Sequence, residues 1–272
     1  MKNITFLIVF LTSLFLTSCE DVIDVNLETA APKLVIEASI NWEKGTSGEE
    51  QIIKLSTTTG YFDKVIPKVS GAVVFITNSL NEQFDFVEIP LTGQYVCSNF
   101  EPVIDEKYTL TVINNGNTYT STETLQAVTP ITRIEQNNNG GLLGDEIEVK
   151  AFFNDPADQD NFYMFTHKYS NKILDDVYVI EDKFNQGSEL SSNSDNADLE
   201  TGVEVQITHT GISERYYNYI RTFLSTTDTG GGPFQSPPVK LKGNIVNTTD
   251  KNNYPLGYFS IGETKTVTYI IE

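Results

Sequence analysis

The chain has 272 residues, and 37 Asp and Glu against 18 Lys and Arg leave a net charge of −19. So acidic a chain is repelled by nucleic acid and by anionic membrane faces, which excludes both as partners of its polypeptide surface, whereas cations or basic partners are attracted. With only two cysteines, Cys19 and Cys97, the 13 Tyr and 16 Phe have to build the core without a disulfide framework.

Residues 1–18 read as an export signal. Lys2 precedes an apolar run from Ile4 to Leu16 that is broken by Thr12 and Ser13. The run is too short for a bilayer-spanning helix, which needs ~20 apolar residues. It ends in Leu16-Thr17-Ser18-Cys19, which resembles the bacterial lipobox. There the cysteine thiol takes up lipid as a thioether and becomes the new N-terminus, and several acyl chains hold where one would not. Cys19 is therefore the expected lipid-attachment residue, and Cys97 is left with no intramolecular partner. Glu20, Asp21 and Asp24 follow in a tether over residues 19–32. Acidic residues at this place resemble a surface-export signal, so the expected location is the outer membrane, lipid-anchored and facing the cell surface, with the periplasmic face as the alternative.

From Lys33 to Ala127 the pattern is one of short strands. Lys33–Ile40 and Glu50–Ser56 open the series. Gly71–Thr77 is nearly continuous in apolar residues, as in a strand buried on both faces, and Gln83–Ile89 alternates. Tyr108–Ile113 and Thr118–Thr122 flank Asn114-Asn-Gly-Asn117, a tight hairpin turn whose Asn and Gly accept positive φ. This spacing predicts a β-sandwich over residues 33–127.

A boundary is expected near Ala127-Val-Thr-Pro130, and residues 128–272 form a second β-rich domain. Its expected strands are Ile131–Glu135, Glu146–Phe153, Asn161–Tyr169, Lys172–Ile180, Val203–Thr210 and three more that close the chain, the last Thr264–Ile271. Asn137–Gly144 reads as a loop, and the polar stretch 182–202 as a long one. One helix is expected over about 212–224, with Ile212, Tyr216, Tyr219, Ile220 and Phe223 on its packed face. The fold class is all-β: two tandem β-sandwich-like domains, the second with one packed helix.

The series Cys19-Glu-Asp-Val-Ile-Asp-Val, Lys33-Leu-Val-Ile-Glu, Val69-Ser-Gly-Ala-Val-Val74, Gly93-Gln-Tyr95, Glu106-Lys-Tyr-Thr-Leu110, Asn154-Asp-Pro156, Asn161-Phe-Tyr163, Pro233-Phe234, Gly243-Asn-Ile245 and Leu256-Gly-Tyr-Phe-Ser260 resembles, in that order, the Bacteroidetes lipoprotein family called domain of unknown function 4249. The resemblance implies an envelope lipoprotein with an immunoglobulin-like or transthyretin-like first domain. It also implies a TonB-dependent outer-membrane receptor as neighbour and partner. It supplies no catalytic or binding residue.

Few residues suggest chemistry. Asp155, Asp158 and Asp160 crowd the turn Asp155-Pro-Ala-Asp-Gln-Asp160, and three carboxylates suit a hard cation such as Ca²⁺. The spacing is not that of an EF-hand, and an Asp-Pro turn explains it as well. The two histidines, His167 and His209, lie on strand faces with apolar neighbours and in no zinc pairing. Gly-x-Ser-x-Gly is absent. Cys97 reads as a small buried strand residue, and Gly230-Gly-Gly232 as a turn behind the helix rather than a phosphate cradle. Trp42, Tyr61 and Phe62 are expected in loops, where aromatics mark either a binding surface or a cap on the sandwich. No catalytic residue and no cofactor are expected. The function read from these features is a non-catalytic lipoprotein assisting a TonB-dependent receptor in nutrient capture. A structural or adhesive spacer and a hydrolase without a motif are the alternatives.

Overall fold

Leu34, Ile36, Ala38 and Ile40 point inward from alternate positions of β1 (Leu34–Glu43), so the chain begins its ordered course as a half-buried strand. The computed structural model describes residues 31–227, apart from 142 and 196–198, and residues 241–272; residues 1–30, with Cys19, lie outside it. β1 pairs antiparallel with β2 (Gln51–Thr57), and β2 with β5 (Gln94–Cys97). β3 (Val73–Thr77), β6 (Lys107–Asn114) and β7 (Asn117–Thr124) make the facing layer. β4 (Gln83–Ile89) belongs to both layers, pairing with β3 through Phe86 and with β5 from Val87 onward. Between the layers Ile36, Ile53, Tyr95, Val74, Phe84, Leu110 and Tyr108 form the first core. The β6–β7 turn is the tight one expected, with Asn115 at φ 48 and Gly116 at φ 74. β3 is buried on one face only, and Val73 is exposed on the other.

The second core lies between two further layers. β8 (Ile131–Gly140), β9 (Glu146–Asn154) and β12 (Glu189–Asp195) form a three-stranded sheet in the order β12-β9-β8. β10 (Phe162–Tyr169), β11 (Asp176–Glu181) and β13 (Glu204–Ile212) face it. Val149, Ala151, Phe153, Tyr163, Phe165, Val205 and Ile207 are buried between them. The protein is thus all-β with two sandwiches, and a single helix among the described residues, α1 (Glu214–Thr227).

Several expectations need correction. The Asn-rich run 137–140 continues β8 instead of forming a loop, because β9 offers it a free edge. The stretch 182–202 contains β12, which pairs along the other edge of β9. Hydropathy hides this strand because its inward side chains are Ser192 and Ser194, which bond to His167 and Tyr169 rather than to apolar groups. Trp42 is in β1, not in a loop. The helix starts two residues late because Ile212 still pairs with Phe162, and Ser213 then caps the first turn by accepting the Tyr216 N–H at 3.3 Å. Its most buried side chain is Tyr217, whose ring lies 5.3 Å from that of Phe162, and Phe223 is exposed.

The end of the chain is also simpler than expected. β14 (Val246–Asn247) is a two-residue edge on β7, and β15 (Leu256–Ile270) is one continuous strand. β15 runs parallel to β1 from Leu256 to Thr264, then antiparallel to β13 from Thr264 to Ile270. Ile245, Phe259 and Ile261 accordingly join the first core although they follow the whole second sandwich in sequence. At the handover three backbones close on one another. A Cβ on Gly262 would lie 2.1 Å from the Gly211 carbonyl oxygen, and one on Gly211 would lie 2.0 Å from that of Ala127.

Carbonyl groups held in ladders cannot retreat as a flexible side chain would. Gly211→Ala and Gly262→Ala are therefore expected to cost about 3 kcal/mol each, at the upper end of overpacking effects. Gly71→Ala, where a Cβ meets nothing but φ is +76, is expected to cost only about 1 kcal/mol, the ordinary left-handed penalty. Urea unfolding of the three variants checks this, and equal losses in all three would refute the close-packing account.

Candidate functional site

Two adjacent strands, β10 and β13, bring both histidines into the second core. His209 stacks on Phe165 with ring centroids 4.2 Å apart, and Phe153 and Tyr163 close around it. Its Nδ1 donates to the Thr129 carbonyl at 3.1 Å, and its Nε2 has no partner. His167 sits edge-on to Tyr178 at 5.3 Å, and its Nε2 meets the Ser192 hydroxyl at 3.3 Å. Both rings are fully buried. Burial drives the His167 pKa down to about 4 and that of His209 down to about 3, so both are neutral packing residues at neutral pH. The Ser192–His167 pair has the elements of a nucleophile and its base. Yet the His167 Nδ1 has no acid to orient it, and both groups are sealed from any substrate.

The acidic turn does not gather its three carboxylates. Asp155 is buried, Asp158 and Asp160 are exposed, and Asp160 accepts from Gln186. Asp155 is held by Tyr163, whose hydroxyl donates at 2.7 Å, by Asn161, and by the Gly187 N–H at 3.2 Å. The carboxyl that lies against it is that of Asp182, the residue after β11, within the stretch 182–202 expected as a loop. Asp182 is fully buried, and neither of its side-chain oxygens has a hydrogen-bond partner. Burial, assisted by the charge of Asp155, raises its pKa. The only sequence signal for this pairing is an Asp opening each of two turns, 155–161 and 182–188. Nothing local reveals that the turns meet.

Cys97 is buried at the end of β5, donates to the Asn99 side chain at 3.2 Å, and has its pKa raised by burial, so it is not poised as a thiolate. Gly230–Gly232 lie outside the described residues. Phe184 in the 182–188 turn and Phe223 on α1 are exposed. Tyr61 and Phe62 are exposed as well, 88% and 76% accessible, with rings edge to face at 5.1 Å. With Val65 and Ile66 they crown the loop between β2 and β3. The loop is shaped from within by Asp63, which accepts from the Gly60 N–H at 2.8 Å and the Thr59 hydroxyl at 2.5 Å. It is pinched at its base, where the Thr57 N–H donates to the Pro67 carbonyl at 3.0 Å. The base is also bonded to Lys33, through Thr58 N to Lys33 O and Lys33 N to Thr58 Oγ1, both at 2.9 Å. The apolar crown thus sits at the end of the sandwich where the described chain begins.

A groove of about 330 Å³ lies between α1 and residues 241–244, lined by Arg215, Tyr219, Lys242, Asn244 and Tyr258. Under it the buried Glu123 accepts from the Asn244 amide at 2.7 Å, with the Arg215 guanidinium 3.9 Å away. Asn244 also bonds both backbone groups of Phe259, substituting for a strand partner. These polar groups are matched to one another, which makes the groove a structural seam as much as a binding surface.

A mostly-β chain of two sandwiches, with its histidines in the core and an exposed Tyr61–Phe62 pair on one loop, defines a class of architecture. Residues 20–268 match the family described as Domain of unknown function (DUF4249), and the chain belongs to that family. Among solved structures, a two fibronectin type-III domain segment from chicken tenascin is 12% identical, with 66% of this chain and 90% of that chain covered and a TM-score of 0.21. The first three fibronectin domains of chicken CNTN1 are 14% identical, covering 67% of this chain and 62% of that one, with a TM-score of 0.27. A cytokine receptor complex is 7% identical, with 88% and 96% covered and a TM-score of 0.26. No curated protein matches the chain.

The buried histidines set a pH dependence whose sign is fixed. Unfolded His titrates near pH 6.5, above both folded values, so the unfolded chain binds more protons as pH falls. Their contribution to stability is complete above about pH 7 and is lost progressively below 6.5. By pH 5 it amounts to about 2 kcal/mol for each ring. Urea midpoints at pH 7.5 and pH 5 are expected to show this loss, and His167→Gln with His209→Gln to remove most of it. An unchanged slope in the double variant would refute it.

Proposed function

We infer that the chain is a non-catalytic lipoprotein of the outer membrane or cell surface that assists a TonB-dependent receptor in nutrient capture. The observation that carries this reading is the exposed crown of Tyr61, Phe62, Val65 and Ile66, fastened to Lys33 at the root of the tether. A lipid on Cys19 would be separated from Lys33 by residues 20–32, which span at most roughly 45 Å when fully extended. The crown would therefore be held near the bilayer, beside any membrane-embedded partner, and its aromatics are of the type that dominates protein interfaces. The lipobox supports the anchor, and the family resemblance supports the neighbour.

Two measurements test it. An alkyne-bearing fatty acid fed to cells is expected to label the wild-type chain and not Cys19→Ser, which should leave the membrane fraction. Affinity capture of the tagged chain from intact outer membranes is expected to recover a receptor barrel. Tyr61→Ser with Phe62→Ser should cut that recovery roughly tenfold, while its unfolding midpoint changes little, since exposed substitutions stay within about 0.5 kcal/mol. Repeated absence of a barrel from the wild-type capture would sink the receptor role and leave a spacer or adhesive module.

A further inference from the structure

The turn 155–161 between β9 and β10 and the turn 182–188 between β11 and β12 are bonded together. The Asp155 N–H donates to the Ser188 carbonyl at 3.1 Å, the Asp182 N–H to the Asn161 carbonyl at 3.3 Å, and the Gly187 N–H to the Asp155 carboxylate. Two carboxyl groups from different turns are thereby enclosed side by side. Asp155 is well supplied with donors. Asp182 is not: it is 0% exposed, Asn161 and Asp155 lie nearest to it, and neither of its oxygens makes a hydrogen bond of good geometry. The buried Oγ1 of Thr129 lies against the Tyr163 hydroxyl that serves Asp155.

A buried carboxyl without a well-placed donor, next to a second buried carboxyl, is costly unless a proton or a cation completes it. We propose that Asp155 and Asp182 form a binding site for a calcium ion. The donors are all oxygen, which selects a hard cation over zinc or copper. Among the described residues no three Asp, Glu, His or Cys side chains converge on one point. The remaining ligands are therefore neutral oxygens, backbone carbonyls and water, which calcium accepts in a coordination shell of six to eight. Magnesium, held to a strict octahedron and slow to shed its water, suits so enclosed a corner less well. Thr129 is in the segment that leads from the first core to the second, so the ion would brace the start of the second sandwich. The site shares only Asp155 with the trio suggested by the sequence.

The full-length chain, purified in detergent and freed of metal by chelator, tests this. Addition of CaCl₂ is expected to raise the unfolding midpoint by roughly 5 °C, with MgCl₂ at the same concentration producing little. Tb³⁺, which takes calcium sites, should give sensitised emission on excitation of tyrosine, with Tyr163 as the near donor. Asp182→Asn is expected to abolish both responses while raising the metal-free midpoint, since it removes one of two facing carboxyl charges. Asp158→Asn with Asp160→Asn should leave both responses intact, which separates the site from diffuse binding to an acidic surface. Asp182→Asn that responds to Ca²⁺ like the wild type, a wild type that does not respond at all, or an equal response to Mg²⁺ would each overturn the proposal. The second of these results would mean that the two carboxyls share a proton instead.

Discussion

The fold depends on one strand that answers to two partners. β15 rises by about 3.3 Å per residue, and over Leu256–Ile270 its backbone groups are satisfied first by β1 and then by β13. No turn or linker separates the two halves, so the sandwiches share a strand. The handover at Thr264 is fixed by charge as well as by the ladders. Glu263, buried, accepts from the Val128 N–H at 3.0 Å and from Lys44 at 2.9 Å, and Lys44 also reaches the Val128 carbonyl. One residue on, the Glu43 carboxylate takes the Thr266 N–H and hydroxyl and the Lys265 ammonium. Glu263 of the shared strand and Glu43 of β1 thus tie the backbone at Val128 and the end of β1 to the same short segment, residues 263–266.

This arrangement explains which elements the sequence revealed. Strands and turns whose signal is local were legible: the β6–β7 hairpin with its Asn-Gly turn, and the apolar alternation of β1, β9 and β10. The unity of β15 was not, because Gly257 and Gly262 interrupt its pattern for reasons located elsewhere, in the backbones of Ile36 and Gly211 that press against them. β12 was missed because its buried face is made of serines whose partners, His167 and Tyr169, come from a distant strand. A hydropathy pattern records what a side chain is, not what it is bonded to.

The same limit governed the sites. The sequence drew attention to Asp155 through its near neighbours Asp158 and Asp160, but a turn exposes most of its own side chains. The carboxyl that meets Asp155 belongs to a turn brought to it by the pairing of β10 with β11 and β9 with β12, far from it in sequence. The histidines were read correctly as packing residues from the apolar company on their strand faces. How completely they are enclosed depends on β12 and on Thr129, neither of which shares those strands.

Placed together, these features divide the molecule by role. The second sandwich buries its titratable groups, and its stability therefore depends on what reaches them: protons at the histidines, a cation at the aspartates. The first sandwich buries Tyr95, Cys97 and Tyr108 but no histidine or aspartate, and it carries an exposed apolar cluster outside, on the loop bonded to Lys33. The two cannot act independently, because the last strand of the chain completes both cores. A change in the second sandwich that loosened the Thr264–Ile270 half of β15 would act on the strand that Leu256–Ile261 must hold against β1.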